Sequence, residues 1–292
     1  MLVSATGRHL RLLLVAAVST LVAALFVALP ARAVAEDAAL PGPTGPLDHF
    51  LCYTAVSVPS TVVPGFKPPA AVLLKNQFNP NGYPARLRVV TTHCNPVEKR
   101  LRTGEVFKVQ NPSWHLVCWS MVAGTSAKTP VVQAENQFGT AVLTTAPPDR
   151  LCLPSLKSEK TPPSFGAPGP NEVRPDHFSC YRVAYPAGTP RFTPPPNVRL
   201  RDQFTPPGTS FVAKIGAPTR ICLPTSKTLP TGGEPTPITN PTEHLVCFAV
   251  TGTNPATLPR TVYDLNQFGT GAVQVTARSQ ELCLPTLKRL IG

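Results

Sequence analysis

The sequence has few of the residues that catalysis and metal binding use. Only 15 of its 292 residues are Asp or Glu. No position carries an Asp or a Glu in all four of the repeats described below. The chain has no Gly-x-Ser-x-Gly, His-Glu-x-x-His or phosphate-loop motif, each of which would indicate an active site. It also has no Cys-x-x-Cys pair, which is typical of zinc sites. We therefore expect no catalytic residue, no cofactor and no metal.

The sequence also lacks apolar residues at helical spacing outside its first thirty-five residues. Its 37 prolines argue against long helices, because proline has no amide donor and clashes with the preceding turn. Nothing beyond the N-terminal segment is apolar enough to span a bilayer. These absences predict an all-β chain.

The N-terminal segment has the composition of a secretory signal. Arg8 and Arg11 precede an uncharged apolar run, Leu12 to Leu29, and small residues follow at 31–35, so residues 1–35 are predicted to be a signal peptide. Cleavage after Ala33 is an alternative. The run is close to the roughly 20 residues of a membrane span, and only an uncleaved segment would attach the protein to a membrane.

All eight cysteines follow this segment, the first being Cys52. An even cysteine number in an exported chain indicates disulfide bonds. We predict a secreted or extracytoplasmic protein, in the periplasm or at the cell surface. The net charge is +12 and falls to 12 − 3 = +9 without the signal. Lys and Arg are scattered along the sequence, which favours loose attraction to anionic polymers over specific nucleic-acid binding.

Three signatures recur four times in the same order, which identifies four modules. The first is His-x-x-Cys followed by an aromatic residue, at His49 to Tyr53, His115 to Trp119, His177 to Tyr181 and His244 to Phe248. The second is Asn or Asp before Gln-Phe, at Asn76 to Phe78, Asn136 to Phe138, Asp202 to Phe204 and Asn266 to Phe268. The third is Cys-x-Pro-x-x-Lys, at Cys94 to Lys99, Cys152 to Lys157, Cys222 to Lys227 and Cys283 to Lys288.

The first and third modules resemble each other, as do the second and fourth, so a pair of modules was duplicated. A Pro/Gly-rich segment separates the pairs, and we predict two tandem domains. The predicted divisions are an N-terminal linker at 36–47, domain 1 at 48–157 with modules 48–99 and 115–157, a linker at 158–175, and domain 2 at 176–292 with modules 176–227 and 244–288.

Each module contains three segments with strand character. In the first module these are Phe50 to Val58, Ala71 to Phe78 and Ala85 to Thr92, and the second repeats them at Leu116 to Val122, Val131 to Phe138 and Ala141 to Thr145. Three strands bury little surface, so we expect each domain to be a small sandwich or barrel of about six strands.

The cysteines of a module lie in its first strand and after its last strand, so a three-strand meander can join them. We predict the disulfides Cys52–Cys94, Cys118–Cys152, Cys180–Cys222 and Cys247–Cys283. Bridges between modules, such as Cys52–Cys118 with Cys94–Cys152, are the alternative that sequence leaves open. Because strand neighbours alternate faces, the His and the Cys of each His-x-x-Cys point apart, which argues against their sharing a metal.

The histidine and the aromatic residue four positions later share one strand face. This arrangement favours packing beside core aromatics, and the alternative is a ring face that stacks on a sugar. For that alternative the second module is the candidate, with His115, Trp119 and Trp114 as the ligand face, because it holds both tryptophans of the chain. The Gln-Phe pair is expected to be an anchor, with Phe buried and the polar side chains bonded to turn backbone.

The strings Asp-His-Phe-x-Cys-Tyr, Asn/Asp-Gln-Phe, His-Leu-Val-Cys and Cys-x-Pro-x-x-Lys resemble a repeat domain of unknown function from predicted secreted bacterial proteins. The resemblance covers about residues 48–157 and 176–288. It implies modularity and export and no particular chemistry. One departure is Cys94-Asn-Pro, where the other copies have Cys-Leu-Pro.

These observations predict a non-catalytic exported binding or adhesion protein whose partner is an anionic or glycan polymer of the envelope or extracellular space. The alternatives are a purely structural surface protein and a secreted hydrolase with carboxylates assembled from distant loops.

Overall fold

The computed structural model describes residues 47–164 and 173–291, and these residues form strands and loops. The predicted all-β class is confirmed. The predicted signal peptide, and the central part of the predicted linker at 158–175, lie outside the described residues. The fifteen strands are β1 Phe50–Val58, β2 Val72–Asn76, β3 Asn79–Pro96, β4 Glu98–Arg100, β5 Val106–Phe107, β6 Trp114–Ala123, β7 Val131–Asn136, β8 Gly139–Ser158, β9 Phe178–Ala184, β10 Val198–Arg201, β11 Phe211–Pro224, β12 Ser226–Thr228, β13 His244–Thr251, β14 Arg260–Asn266 and β15 Gly269–Ile291.

Each module contributes two long strands to one closed antiparallel ring. Its eight strands follow the order β1, β3, β6, β8, β9, β11, β13 and β15, and β15 pairs again with β1. The ring therefore has no free edge strand, and the backbone donors and acceptors along its strands find partners within the sheet.

The four disulfides lie on the face that the ring encloses. They join Cys52 to Cys94, Cys118 to Cys152, Cys180 to Cys222 and Cys247 to Cys283, which confirms the predicted pairing. In every case the two cysteines are directly opposite each other on adjacent strands. All eight pack in one buried cluster with Leu47, Phe50, Leu116, Phe178 and Leu245. Sulfur atoms of neighbouring bridges approach to 3.7 Å between Cys52 and Cys283.

The outer face of the ring is covered by four hairpin arms. In each arm a short strand pairs with the extension of a ring strand, as β2 with β3, β7 with β8, β10 with β11 and β14 with β15. The larger hydrophobic core lies between the arms and the ring. Its aromatic pairs join diagonal modules: Tyr53 with Phe204, Phe78 with Tyr181, Trp119 with Phe268 and Phe138 with Phe248, with ring centroids 5.0–5.2 Å apart.

The arms also exchange strand pairing between diagonal modules. The segments after the Cys-x-Pro motifs reach across, so that β4 pairs with β10, β12 with β2, the end of β8 with β14 and the end of β15 with β7. The described residues, 47–164 and 173–291, thus all belong to one compact unit, and they do not show two separate six-stranded domains. The physical reason is that a three-strand module leaves unpaired edges, and these are satisfied by modules of the other pair.

Candidate functional site

A groove lined by arginines lies where β4 meets β10. Their antiparallel register places Arg100 directly opposite Arg199, and Arg201 opposite Glu98. Arg201 Nη2 donates to Glu98 Oε2 at 3.0 Å. Gly208 to Ser210 form the other wall, and the cavity volume is about 400 Å³.

Arg100 and Arg199 are exposed. Like charges directly opposite each other on neighbouring strands are destabilising, so this pair costs stability in the free protein. The groove carries three guanidinium groups and one carboxylate, and its net charge is +2. A net charge of this sign would attract anions. This groove could not be predicted from the sequence, because Arg100 and Arg199 are distant along the chain and only the register between the first and third modules brings them together.

A second arrangement recurs four times, at each junction between one module and the next around the ring. The Lys of Cys-x-Pro-x-x-Lys lies over the Phe of the following module's Gln-Phe pair. The Nζ-to-ring distances are 5.1 Å for Lys99 and Phe138, 4.3 Å for Lys157 and Phe204, 4.5 Å for Lys227 and Phe268, and 5.0 Å for Lys288 and Phe78. A desolvated ammonium over an aromatic face is an attractive contact, so these lysines join modules.

The Gln of each Gln-Phe pair also lies at these junctions. Lys99 donates to Gln137, Lys227 to Gln267 and Lys288 to Gln77. The neighbouring imidazoles of His115 and His244 contact Gln203 and Gln77 at 3.0 and 3.2 Å. The expectation that Gln bonds turn backbone is therefore corrected: Gln contacts the neighbouring module. The Asn or Asp before it does accept from the backbone N–H of the Phe in all four copies, as predicted.

Burial shifts the ionisation of the junction residues. It lowers the pKa of Lys99 to about 7 and the pKa values of Lys157 and Lys288 to about 8. It also lowers the pKa of His49 to about 3 and that of His244 to about 4, and holds the pKa values of His115 and His177 well below the usual range. In each case loss of solvation disfavours the charged form. The four junction histidines are therefore neutral at pH 7.

The junction at Phe204 differs from the others because polar side chains replace aliphatic ones. His93 stands where the other modules have Leu151, Ile221 and Leu282, and Asn95 where they have Leu153, Leu223 and Leu284. His93 Nε2 lies 3.3 Å from Asp264 Oδ1, with both side chains fully buried. Asn95 donates to Asp202 at 2.8 Å, and the His93 ring lies 5.9 Å from that of Phe204. The departure Cys94-Asn-Pro in the sequence was a signal of this buried polar cluster.

A further charged network lies on the cysteine side of the ring, next to the disulfides. Glu281 is contacted by Arg150 and by Arg220, each at 2.6 Å, and Arg220 also pairs with Asp149 at 3.2 Å. Burial raises the pKa of Glu281, but the two guanidinium groups outweigh it and hold the pKa below its usual value. These charges are paired with one another, which indicates a structural role.

The predicted ligand face of the second module is not exposed. Trp119 is completely buried and packs edge-on against Phe66 and Phe268 at 5.4 and 5.1 Å. Trp114 is 4% exposed, so neither indole presents a face to solvent, and Trp119 follows the favoured interpretation of packing beside core aromatics. His115 is also buried, but it lines a cavity of about 360 Å³ together with Lys157 and Gln203.

Within the described ranges, no group of three or more His, Cys, Asp or Glu side chains could hold a metal ion. In the same part of the chain no helix is long and apolar enough to cross a membrane.

Comparison with known proteins adds no further assignment. No family model matches the chain, and no curated protein or solved structure is significantly similar to it.

Proposed function

We propose that the protein is an exported, non-catalytic binding protein that holds an anionic extracellular polymer in the groove between β4 and β10. The observation that carries the proposal is the facing pair Arg100 and Arg199. An anionic group placed between them would remove their mutual repulsion and gain charge-assisted hydrogen bonds, which guanidinium forms well with carboxylates.

The character of the groove favours a polymer with repeated carboxylate groups. The groove is open, and its polar wall at Gly208 to Ser210 offers hydroxyl groups to neighbouring hydroxyls of a sugar chain. The net charge of +12 over the whole sequence adds long-range attraction to any polyanion. The only carboxylate in the groove, Glu98, is bound to Arg201, so it supports positioning and not catalysis.

Export is supported by two features. Four disulfides are compatible with an extracytoplasmic location, and residues 1–35 have the composition of a secretory signal. The resemblance to a repeat domain of predicted secreted bacterial proteins also implies export.

Co-sedimentation with polygalacturonate, and with neutral dextran of the same length, tests the proposal. We expect binding to polygalacturonate that weakens as salt rises from about 0.05 M to about 0.5 M, because exposed charge pairs are screened, and no binding to dextran. The double variant Arg100→Gln, Arg199→Gln should bind about tenfold more weakly, since each exposed contact contributes up to about 1 kcal/mol.

The matched control is Arg86→Gln, Arg88→Gln, which removes two exposed arginines from β3 and the same total charge. It should retain most of the affinity. Equal losses in both double variants would show that only net charge matters, and would contradict a specific groove. Binding to dextran as tight as to polygalacturonate would contradict the anionic ligand.

A further inference from the structure

The cavity at the junction of the second and third modules contains an ammonium group without a hydrogen bond. Lys157 Nζ is shielded from solvent and has no hydrogen-bond partner among the described residues. The other three junction lysines each donate to a glutamine of the next module. Gln203 stands at the equivalent place here, but Lys157 Nζ makes no hydrogen bond to it; its Oε1 lies 3.0 Å from His115 Nε2, and its amide donates to Pro112 O at 2.8 Å.

This junction is open, whereas two of the others are closed by the chain. Lys99 and Lys227 are 0% and 1% exposed. Lys157 is only partly covered, and a cavity of about 360 Å³ lies beside it. Leu156, Pro112 and Pro163 supply its apolar wall. That volume is at the lower end of the range for small-molecule sites, and it fits a single sugar or an organic acid of similar size.

The carboxylates near Lys157 do not satisfy its ammonium. Asp202 accepts from Tyr53 and from Asn95, each at 2.8 Å, through one oxygen and from the backbone of its own turn through the other. Asp264 Oδ1 lies 3.3 Å from His93 Nε2, whereas its Oδ2 has no hydrogen-bond partner among the described residues. Glu159 pairs with Arg260 at 3.1 Å. Burial lowers the pKa of Lys157, and Asp264, Glu159 and Asp202 raise it by less, so the three carboxylates favour a charged ammonium although none of them bonds to it. A buried charged donor that lacks an acceptor is costly.

We propose that the Lys157 cavity is a second binding site, which takes a carboxylate group carried on a body the size of one sugar ring. The carboxylate accepts hydrogen bonds from Lys157 Nζ, which reaches it by rotation about the terminal bonds of its flexible side chain. The ring of the ligand lies against Leu156 and the two prolines. This site stands on different residues from the arginine groove and does not depend on it.

Titration by NMR or calorimetry with three monomeric probes tests the proposal: galacturonate, glucose and cyclohexanecarboxylate. We expect galacturonate to bind and glucose not to bind. Cyclohexanecarboxylate distinguishes two possible origins of the carboxylate ligand. Binding as tight as that of galacturonate supports a free organic acid, and weaker binding supports an acidic sugar unit. Absence of binding by both carboxylates would overturn the proposal, as would glucose binding as tightly as galacturonate.

The variant Lys157→Met should weaken galacturonate binding at least tenfold and should fold, because it removes a buried charge that has no hydrogen bond. Lys288→Met is the matched control, since Lys288 occupies the equivalent place at another partly open junction but donates to Gln77. It should keep the affinity within about twofold. Equal losses in the two variants would overturn the assignment.

A measurement on the wild-type chain makes the test independent of folding of the variant. Galacturonate should shift the side-chain NMR signals of Lys157 and leave those of Lys288 unchanged. Unshifted Lys157 signals at saturating galacturonate would contradict the site. The Arg100→Gln, Arg199→Gln variant should keep galacturonate binding while binding the polymer about tenfold more weakly, so that failure of either proposal is recognised separately.

Discussion

Acidification from pH 7 to pH 5 should strongly destabilise the fold through the four junction histidines. His49, His115, His177 and His244 are all buried, and burial lowers the pKa of each below the usual value of 6.5. In the unfolded chain they titrate normally near 6.5. Below pH 6.5 the unfolded state therefore binds more protons than the folded state, and the free energy of unfolding falls as the pH falls.

The magnitude follows from the two pKa values. A histidine that stays neutral in the folded state but titrates at 6.5 in the unfolded state lowers the free energy of unfolding by about 1.9 kcal/mol between pH 7 and pH 5. Four such groups add to roughly 7.6 kcal/mol, which is comparable with the whole stability of a typical domain. At pH 5 most carboxylates are still ionised in the unfolded chain, so the histidines dominate this interval.

Urea unfolding at several pH values measures this dependence, with the disulfides intact and the fluorescence of the two buried tryptophans, Trp114 and Trp119, as the signal. His177→Gln should reduce the loss between pH 7 and pH 5 by about a quarter, because one of the four groups no longer titrates. His177 is suitable because its Nε2 has no hydrogen-bond partner among the described residues. Val246→Ala, a buried change without a titrating group, should lower stability equally at both pH values. A free energy of unfolding that is flat from pH 7 to pH 5 would refute the reasoning.

Three further results are expected. Replacing Cys180 and Cys222 by Ala should lower the free energy of unfolding by about 4 kcal/mol, on the chain-entropy model for a sequence separation of 42. Peptide mapping without reduction should recover only disulfides within modules. Disulfides between modules would contradict the pairing. Residues 47–164 and 173–292 expressed separately should each lack a cooperative thermal transition, because β8 pairs with β14 and β10 with β4 across the two halves; two independent transitions would support separate domains. Trp119→Ala should cost about 3–5 kcal/mol, as measured by urea unfolding, because the indole is completely buried; a loss below about 1 kcal/mol would indicate a surface role.

The sequence was sufficient for the features that repeat within a module. The apolar, β-prone run Phe50 to Val58 predicted the first strand with its bounds, and the two cysteines of each module are bonded to each other as predicted. These features depend on local chain geometry. The Asn before Gln-Phe also caps its own turn, as its short side chain favours.

Features that depend on register between modules could not be predicted. No local pattern predicts that Arg199 lies opposite Arg100 on the neighbouring strand, or that Lys157 lies over Phe204. These contacts are determined by closure of the ring. The division at residues 158–175 was inferred from composition, but Ser158 is the last residue of β8 and pairs with Tyr263 of the last module. His93 and Asn95 differ visibly from the aliphatic residues of the other modules. Their contacts with Asp264 and Asp202 could not be predicted, because those residues belong to other modules.

The most direct test of the account is an NMR titration of the protein with short oligogalacturonates. The account predicts that the side-chain Nε–Hε signals of Arg100 and Arg199, and the backbone amides of Gly208 to Ser210, shift with the strongest response. It also predicts that Arg86 and Arg88 show no comparable change. Saturable shifts that leave the groove residues unaffected, or no shifts at low salt, would contradict the claim that this groove binds an anionic polymer.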